Sequence, residues 1–239
     1  MGCSYKKTAL LVGATGLVGS ILLEQMLADD YYQEVIVLTR KPISLQHIKL
    51  SQHIIDFENL EAYAHLIKAN DVYCCLGTTI RKAKTKEQFY QVDFVYPTEI
   101  AKIAKFNGAS HFSIVTAMGA CKSSTFYYNR VKGEVEEAIE HLQFKSTHII
   151  RPSLLLGERS EFRLGEEIGK VIAKGLEFMM VGGLKKYRPI EAKAVAVAMY
   201  QLGKDACKLQ GGFKIFESSF LQTIYDEERF AQFATSQAS

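Results

Sequence analysis

Two side chains at a spacing of four, Tyr128 and Lys132, set the chemistry to look for. On a helix that spacing puts both on one face, a turn apart. A phenol with an ordinary pKa of about 10 exchanges protons poorly at neutral pH, and a neighbouring ammonium lowers that value by favouring the phenolate. Such a pair suits proton delivery to an oxygen that gains charge as a carbonyl is reduced, and the lysine can also hold a cofactor ribose. Thr116 follows Ser113-Ile114-Val115 and lies twelve residues before Tyr128. Its hydroxyl could bind the substrate oxygen and orient the phenol, or it could be a strand-end hydroxyl satisfied by backbone. Tyr127 is a second phenol, but it has no lysine four residues on and should point elsewhere.

The loop Gly13-Ala14-Thr15-Gly16-Leu17-Val18-Gly19 supplies what such a pair would work on. It follows a hydrophobic strand and opens a helix, the context that a dinucleotide-binding loop requires. Glycines allow the tight turn and let the helix start approach a pyrophosphate, whose charge the first-turn N–H groups and the helix dipole favour. Gly13, Thr15, Gly16, Leu17 and Val18 are therefore candidate contacts. An NAD-specific site places Asp or Glu at the end of the second strand, where it accepts from the ribose 2′-OH. Here Thr39 is followed by Arg40 and Lys41. Two cations without a carboxylate suit a 2′-phosphate, so NADP(H) is the expected cofactor. Asp56 reads equally as an acceptor for the adenine amino group or as a helix N-cap.

Positioning these groups takes alternating strands and helices. Apolar runs mark strands at Thr8–Val12, Glu34–Thr39, Ile54-Ile55, Val72–Leu76, Phe112–Val115 and Thr147–Arg151. Helical patterns cover Gly16–Leu27, Phe89–Asn107 (stopped by Gly108) and Phe126–Leu142. Near-continuous apolar strands imply a parallel sheet covered on both faces. Right-handed crossovers then give the α/β doubly wound sheet of a Rossmann fold. After Pro152 the pattern loosens into helices at Glu166–Ala173 and Ala192–Leu202, a strand near Phe213–Phe216 and a helical tail. The expected layout is a single domain over residues 1–239, with 153–190 and the C-terminal tail forming a small substrate-facing lobe. Phe162, Phe178, Met179 and Met180 read either as an apolar pocket or as core.

Bulk properties narrow the classes of function. The chain has 239 residues, 48% of them hydrophobic, and a formal net charge of only +3, which implies no nucleic-acid or membrane partner. The basic run Arg81-Lys82-Ala83-Lys84-Thr85-Lys86 reads as a solvated loop, or as a loop near an anionic ligand. No apolar stretch reaches the roughly 18 residues of a membrane span. The short polar start argues against a secretory signal, and Met1-Gly2-Cys3 makes a poor acylation site with Lys6 where Ser or Thr is needed. Five cysteines without a CxxC pair read as reduced thiols, and six scattered histidines make a metal site unexpected. A cytoplasmic protein is the expectation.

The GxxGxxG spacing is associated with extended and atypical short-chain dehydrogenase/reductases, and further segments sharpen that likeness. Gly13-Ala14-Thr15-Gly16, Cys74-Cys75-Leu76-Gly77-Thr78-Thr79, Val92-Asp93, Gly119-Ala120-Cys121-Lys122-Ser123-Ser124 and Val131-Lys132-Gly133-Glu134-Val135-Glu136 occur in this order. From about Thr8 to beyond Arg163 the sequence resembles the Tat-interacting-protein-like group of the atypical enzymes. The resemblance implies an NADPH-binding Rossmann fold, a Tyr128/Lys132 catalytic pair and phosphate recognition by Arg40 and Lys41. It further implies cofactor contacts from Leu76, Gly77 and the adjoining Thr78, with Leu155 and Arg163 lining the nicotinamide half. Thr116 replaces the usual serine. Asp93 stands where many extended members carry an active-site asparagine, but aspartate is normal in this group, so the resemblance assigns it no catalytic role. The expected activity is hydride transfer between NADP(H) and a small molecule bearing a carbonyl or hydroxyl group. The alternative is an NADP(H)-sensing regulator that acts through a protein partner. A nucleotide-sugar epimerase or dehydratase is disfavoured by the short tail and by Arg40-Lys41.

Overall fold

The computed structural model describes residues 7–157, 188–206 and 211–236. Strand β1 (Lys7–Val12) leads through the glycine loop into α1 (Leu17–Ala28), then β2 (Tyr32–Thr39) and β3 (Leu50–Ile54). A 3-10 helical segment (Phe57–Leu66) precedes β4 (Asp71–Cys74). Short helices α2 (Ile80–Ala83) and α3 (Lys86–Tyr90) come next, and α3 runs through a π-helical turn (Gln91–Val95) into α4 (Tyr96–Phe106). Then come β5 (His111–Val115), α5 (Tyr127–Glu140) and β6 (Ser146–Arg151). Strands β7 (Leu155–Leu156) and β8 (Ile190–Glu191) pair with each other. Helix α6 (Ala192–Lys204), strand β9 (Gly212–Glu217) and helix α7 (Ser218–Ser236) complete the chain.

Seven strands form one parallel sheet in the order β3-β2-β1-β4-β5-β6-β9. Along the central strands, residues alternate between two covered faces. Ala9, Leu11, Val35 and Val37 face α1, α6 and α7, whereas Leu10, Val12, Ile36 and Leu38 face the 3-10 segment, α4 and α5. Two buried faces explain why these strands read as unbroken apolar runs. Leu10 pairs with Ile36 on one side and Val72 on the other, so truncating it would open a cavity costing about 2–5 kcal/mol. The chain reverses its direction of winding between β1 and β4, which opens a crevice beyond their C-terminal ends.

The C-terminal tail supplies the seventh strand, and Leu221 and Tyr225 of α7 join the core around α6. It is thus part of the body of the domain. Most of the expected substrate-facing lobe, including the helix at Glu166–Ala173, Phe162, Arg163 and Phe178 to Met180, lies outside the described residues.

Candidate functional site

The crevice at the β1/β4 switch is a cleft of about 670 Å³, with Gly13, Thr15 and Gly16 on one wall and Cys75 to Thr78 on the other. Gly13 takes φ +83°, and a Cβ there would collide with the Cys75 carbonyl, so only glycine lets the two loops meet. The Gly16 N–H donates to Gly13 O at 2.9 Å, while the N-cap carries no side-chain hydrogen bond and the first turn of α1 no acidic residue. First-turn N–H groups have no intrahelical acceptor, which suits a bound phosphate. Leu17 and Val18 open this helix, and Val18 buries its side chain in the core, leaving its backbone as what a ligand could meet. These features fit a dinucleotide.

At the end of β2, the Thr39 hydroxyl donates to the Lys41 carbonyl at 2.8 Å and tightens the turn around Arg40. Arg40 lines the cleft, while Lys41 is exposed beside it and is not among the lining residues. Lys82 of α2 lines the cleft instead, so the loop-near-an-anion reading of the basic run suits the geometry better than the solvated one. Among the described lining residues there is no carboxylate. Asp56 caps the 3-10 segment by accepting from the Glu58 N–H at 3.0 Å.

Tyr128 and Lys132 sit on the first two turns of α5. The helix comes close to the preceding loop because Gly133 carries no side chain: a Cβ there would strike the backbone of Cys121 and Lys122. The rings of Tyr128 and Tyr127 both tilt against Phe89 of α3, at 5.6 and 5.9 Å, so Tyr127 does not point elsewhere as expected, and its hydroxyl is committed to the Lys86 carbonyl at 2.9 Å. Lys132 is only 4% exposed, and its Nζ lies 2.7 Å from Asp93 Oδ1. Burial penalises the ammonium, but Asp93 and, more weakly, Tyr128 outweigh it, and the Lys132 pKa stands above the ordinary lysine value. Gly77 adjoins this pair. A Cβ on it would lie 3.7 Å from Lys132 Nζ, so the lysine lies just behind the Gly77 wall, and neither Tyr128 nor Lys132 is among the residues that line the cleft.

The Thr116 hydroxyl donates to Glu136 Oε1 at 2.6 Å. Glu136 also accepts from Arg151 Nε at 3.0 Å and forms an ion pair with Arg151 Nη2. The Thr116 proton is therefore directed away from any substrate, and its oxygen keeps only lone pairs to offer. Leu155 lies in the small β7–β8 sheet, and Gly157 two residues on comes close to the Leu17 side chain at the start of α1. Sequence reasoning missed the Asp93–Lys132 and Glu136–Arg151 pairs. The only available signal was a pair of acids at otherwise buried helical positions.

Comparison with known proteins supports the family and the fold. The NAD(P)H-binding family model matches residues 13–173. Protein HTATIP2 of Rattus norvegicus is 38% identical over 168 residues, which cover 69% of this chain and 69% of that one. Protein FMP52, mitochondrial, of Candida albicans is 33% identical over 219 residues, covering 86% of this chain and 95% of that one. Among solved structures, the Bordetella bronchiseptica enzyme WbmH in complex with NAD+ superimposes with a TM-score of 0.69 at 13% identity, covering 93% of this chain and 80% of that one. This last likeness is one of fold. The expected cytoplasmic location is corrected here: several fungal relatives carry the description mitochondrial in their names.

Proposed function

The chain belongs to the NAD(P)H-binding family, within the Tat-interacting-protein-like group of atypical short-chain dehydrogenase/reductases, and on that footing we propose that it is an NADPH-dependent oxidoreductase acting on a carbonyl or alcohol. One observation carries the reading: a buried, charged Lys132 just behind Gly77 of the dinucleotide cleft, one helical turn from Tyr128. A bound nicotinamide would supply or take the hydride. Tyr128 gives its proton to the carbonyl oxygen, and Lys132 stabilises the phenolate that remains and holds the nicotinamide ribose. Thr116 can accept a hydrogen bond from the phenol or from a substrate hydroxyl, since its own proton is held by Glu136. Leu76, Gly77 and Thr78 form the facing wall, with Leu155 and Arg163 assigned to the nicotinamide end by the family resemblance.

The preference for NADPH rests on Arg40 and Lys82 in a cleft lining that shows no carboxylate among the described residues. Lys41 beside Arg40 adds a further positive charge for a 2′-phosphate. Titration with NADPH and NADH, followed by a carbonyl panel, tests both halves of the reading. We expect NADPH to bind at least about tenfold more tightly, Arg40→Ala to erase most of that margin, and Tyr128→Phe to abolish turnover of any accepted carbonyl. Tighter binding of NADH overturns the cofactor assignment. Undiminished turnover in Tyr128→Phe overturns the catalytic one, and bound NADPH that no carbonyl oxidises favours the sensor.

A further inference from the structure

The dinucleotide cleft lies beyond the C-terminal ends of the strands, and a second cavity opens at their N-terminal ends. It measures about 310 Å³, near the lower bound of small-molecule sites. Lys7 opens β1, Asp71 opens β4, His111 opens β5 and Ser146 opens β6, and all four line the cavity with Lys145 and Gly211. Gly211 takes φ +66°, and a Cβ there would strike the Lys145 carbonyl, which accepts from the Gly212 N–H at 2.8 Å. Glycine thus lets the Lys145 turn close against the start of β9 and form one wall.

His111 is the anomaly in this lining. It is 2% exposed, and neither ring nitrogen completes a hydrogen bond among the described residues, although the Ser146 backbone lies near the ring. Tyr73 and His148 pack edge to face against it, at 5.8 and 4.6 Å, without serving either nitrogen. A buried polar group without a partner is costly, and a phenyl ring would fill the same place without that cost. Burial pulls the imidazole down to about 3, so at neutral pH the ring is uncharged and offers one donor and one acceptor.

The charges around the ring select the ligand. Asp71 is buried and engaged within the protein: Lys7 donates to its two oxygens at 3.3 and 3.0 Å, and the Tyr32 hydroxyl donates to Oδ2 at 2.9 Å. With Lys7 and Asp71 offsetting each other, the exposed Lys145 leaves the lining with a net positive charge. A cationic ligand would meet two ammonium groups. An anion is attracted by both, and a hydroxyl beside it can use the free imidazole nitrogens.

We propose that this cavity is a second ligand site, for a small organic anion that carries a neighbouring hydroxyl group. Lys7 and Lys145 attract the anionic oxygens, and the hydroxyl pairs with the His111 imidazole. The anionic group is a carboxylate or a phosphate, whose oxygens make the same demands on the two ammonium groups. The site stands apart from the cofactor assignment, since its lining shares no residue with the dinucleotide cleft.

The test is titration of the full-length protein, with and without NADPH, followed by calorimetry and by NMR of the histidine ring nitrogens. Glycerate and glycerol 3-phosphate carry both groups, whereas acetate lacks the hydroxyl and glycerol lacks the anion. At least one of the first two should bind at least about tenfold more tightly than acetate or glycerol and shift the His111 ring signals. Which of them binds identifies the anionic group. His111→Phe and Lys145→Met should each weaken that binding roughly tenfold and leave NADPH affinity within about twofold of wild type. Thermal melts establish that each variant folds; if His111→Phe does not, the wild-type ring shifts and Lys145→Met carry the test. Failure of both two-group probes to bind at about 10 mM overturns the proposal. So does binding that either substitution leaves unchanged, or that NADPH displaces, since the anion then sits elsewhere.

Discussion

Helix α5 carries two buried ion pairs a single turn apart, Lys132–Asp93 and Glu136–Arg151. Both α5 residues are 4% exposed, yet their surroundings differ. Glu136 is engaged at both oxygens: Oε1 takes Thr116 and Arg151 Nε, and Oε2 takes Arg151 Nη2, three of its roughly four acceptor positions. These contacts fasten α5 to the ends of β5 and β6 and engage both carboxylate oxygens within the protein. Lys132 has three donors and a single carboxylate beside it, Asp93 at 2.7 Å, and it lies behind Gly77 of the cleft. A pair engaged at both oxygens by neighbouring elements builds the frame. The pair with capacity left over is the one that can bind.

Removing Glu136 should give the largest effect on the fold. Glu136→Ala leaves Arg151, whose side chain is 19% exposed, without its partner, and breaking a buried pair costs about 3 kcal/mol at the low end of the usual range. For a chain of this size that is roughly 6–12 °C in melting temperature. Replacing both members by methionine should recover most of the loss, since hydrophobic substitutes avoid the desolvation cost. NADPH affinity of the folded variant should stay within about threefold of wild type. A collapse of affinity without a change in melting temperature would reverse the roles of the two pairs.

A third buried pair separates the effects of charge from those of its absence. His111 of β5 and His148 of β6 meet edge to face at 4.6 Å, and burial pulls both down to about 3. Below about 6.5 the unfolded imidazoles take up protons that the folded ones refuse. The unfolded state then binds more protons, so stability falls as pH drops through the interval between about 6.5 and 3. At pH 5 the loss should be about 2 kcal/mol for each histidine relative to pH 7. Urea titrations of wild type and His111→Leu at both pH values measure it. An unchanged acid loss in the variant would move the acid sensitivity to other groups.

The strands of the sheet centre were legible because both faces are buried: β1 and β2 differ from their expected spans by one or two residues at the start. The edge strand β3, Leu50–Ile54, was caught only at its end, because Ser51, Gln52 and His53 are half-buried and carry no apolar run. Tyr128 and Lys132 could be paired from their spacing because an α-helix repeats its faces at that interval. Asp93 could not be paired this way, since it lies on another element and a π turn has no composition of its own. Glu136 and Arg151 are fifteen residues apart on different elements, so no local period joins them. Lys82 sits in a basic run whose charge pattern alone could not show which lysine enters the cleft.

Thr116 was expected to serve the reaction yet bonds to Glu136, and the smallest expected effect is the most informative about it. Its hydroxyl donates to Glu136, and at 3.4 Å also lies near the Ile150 carbonyl, so it belongs by its bonds to the structural pair. Thr116→Val keeps the shape and removes the hydroxyl, which should cost about 1–2 kcal/mol of stability through one lost hydrogen bond to a charged acceptor. If the oxygen also takes a hydrogen bond from the reacting phenol or substrate, turnover should fall by roughly a hundredfold with KM little changed. Thr116→Ser retains the donor and should restore both properties to near wild type. A valine variant that is less stable yet turns over normally would confine Thr116 to the frame and leave Tyr128 and Lys132 to do the chemistry without it.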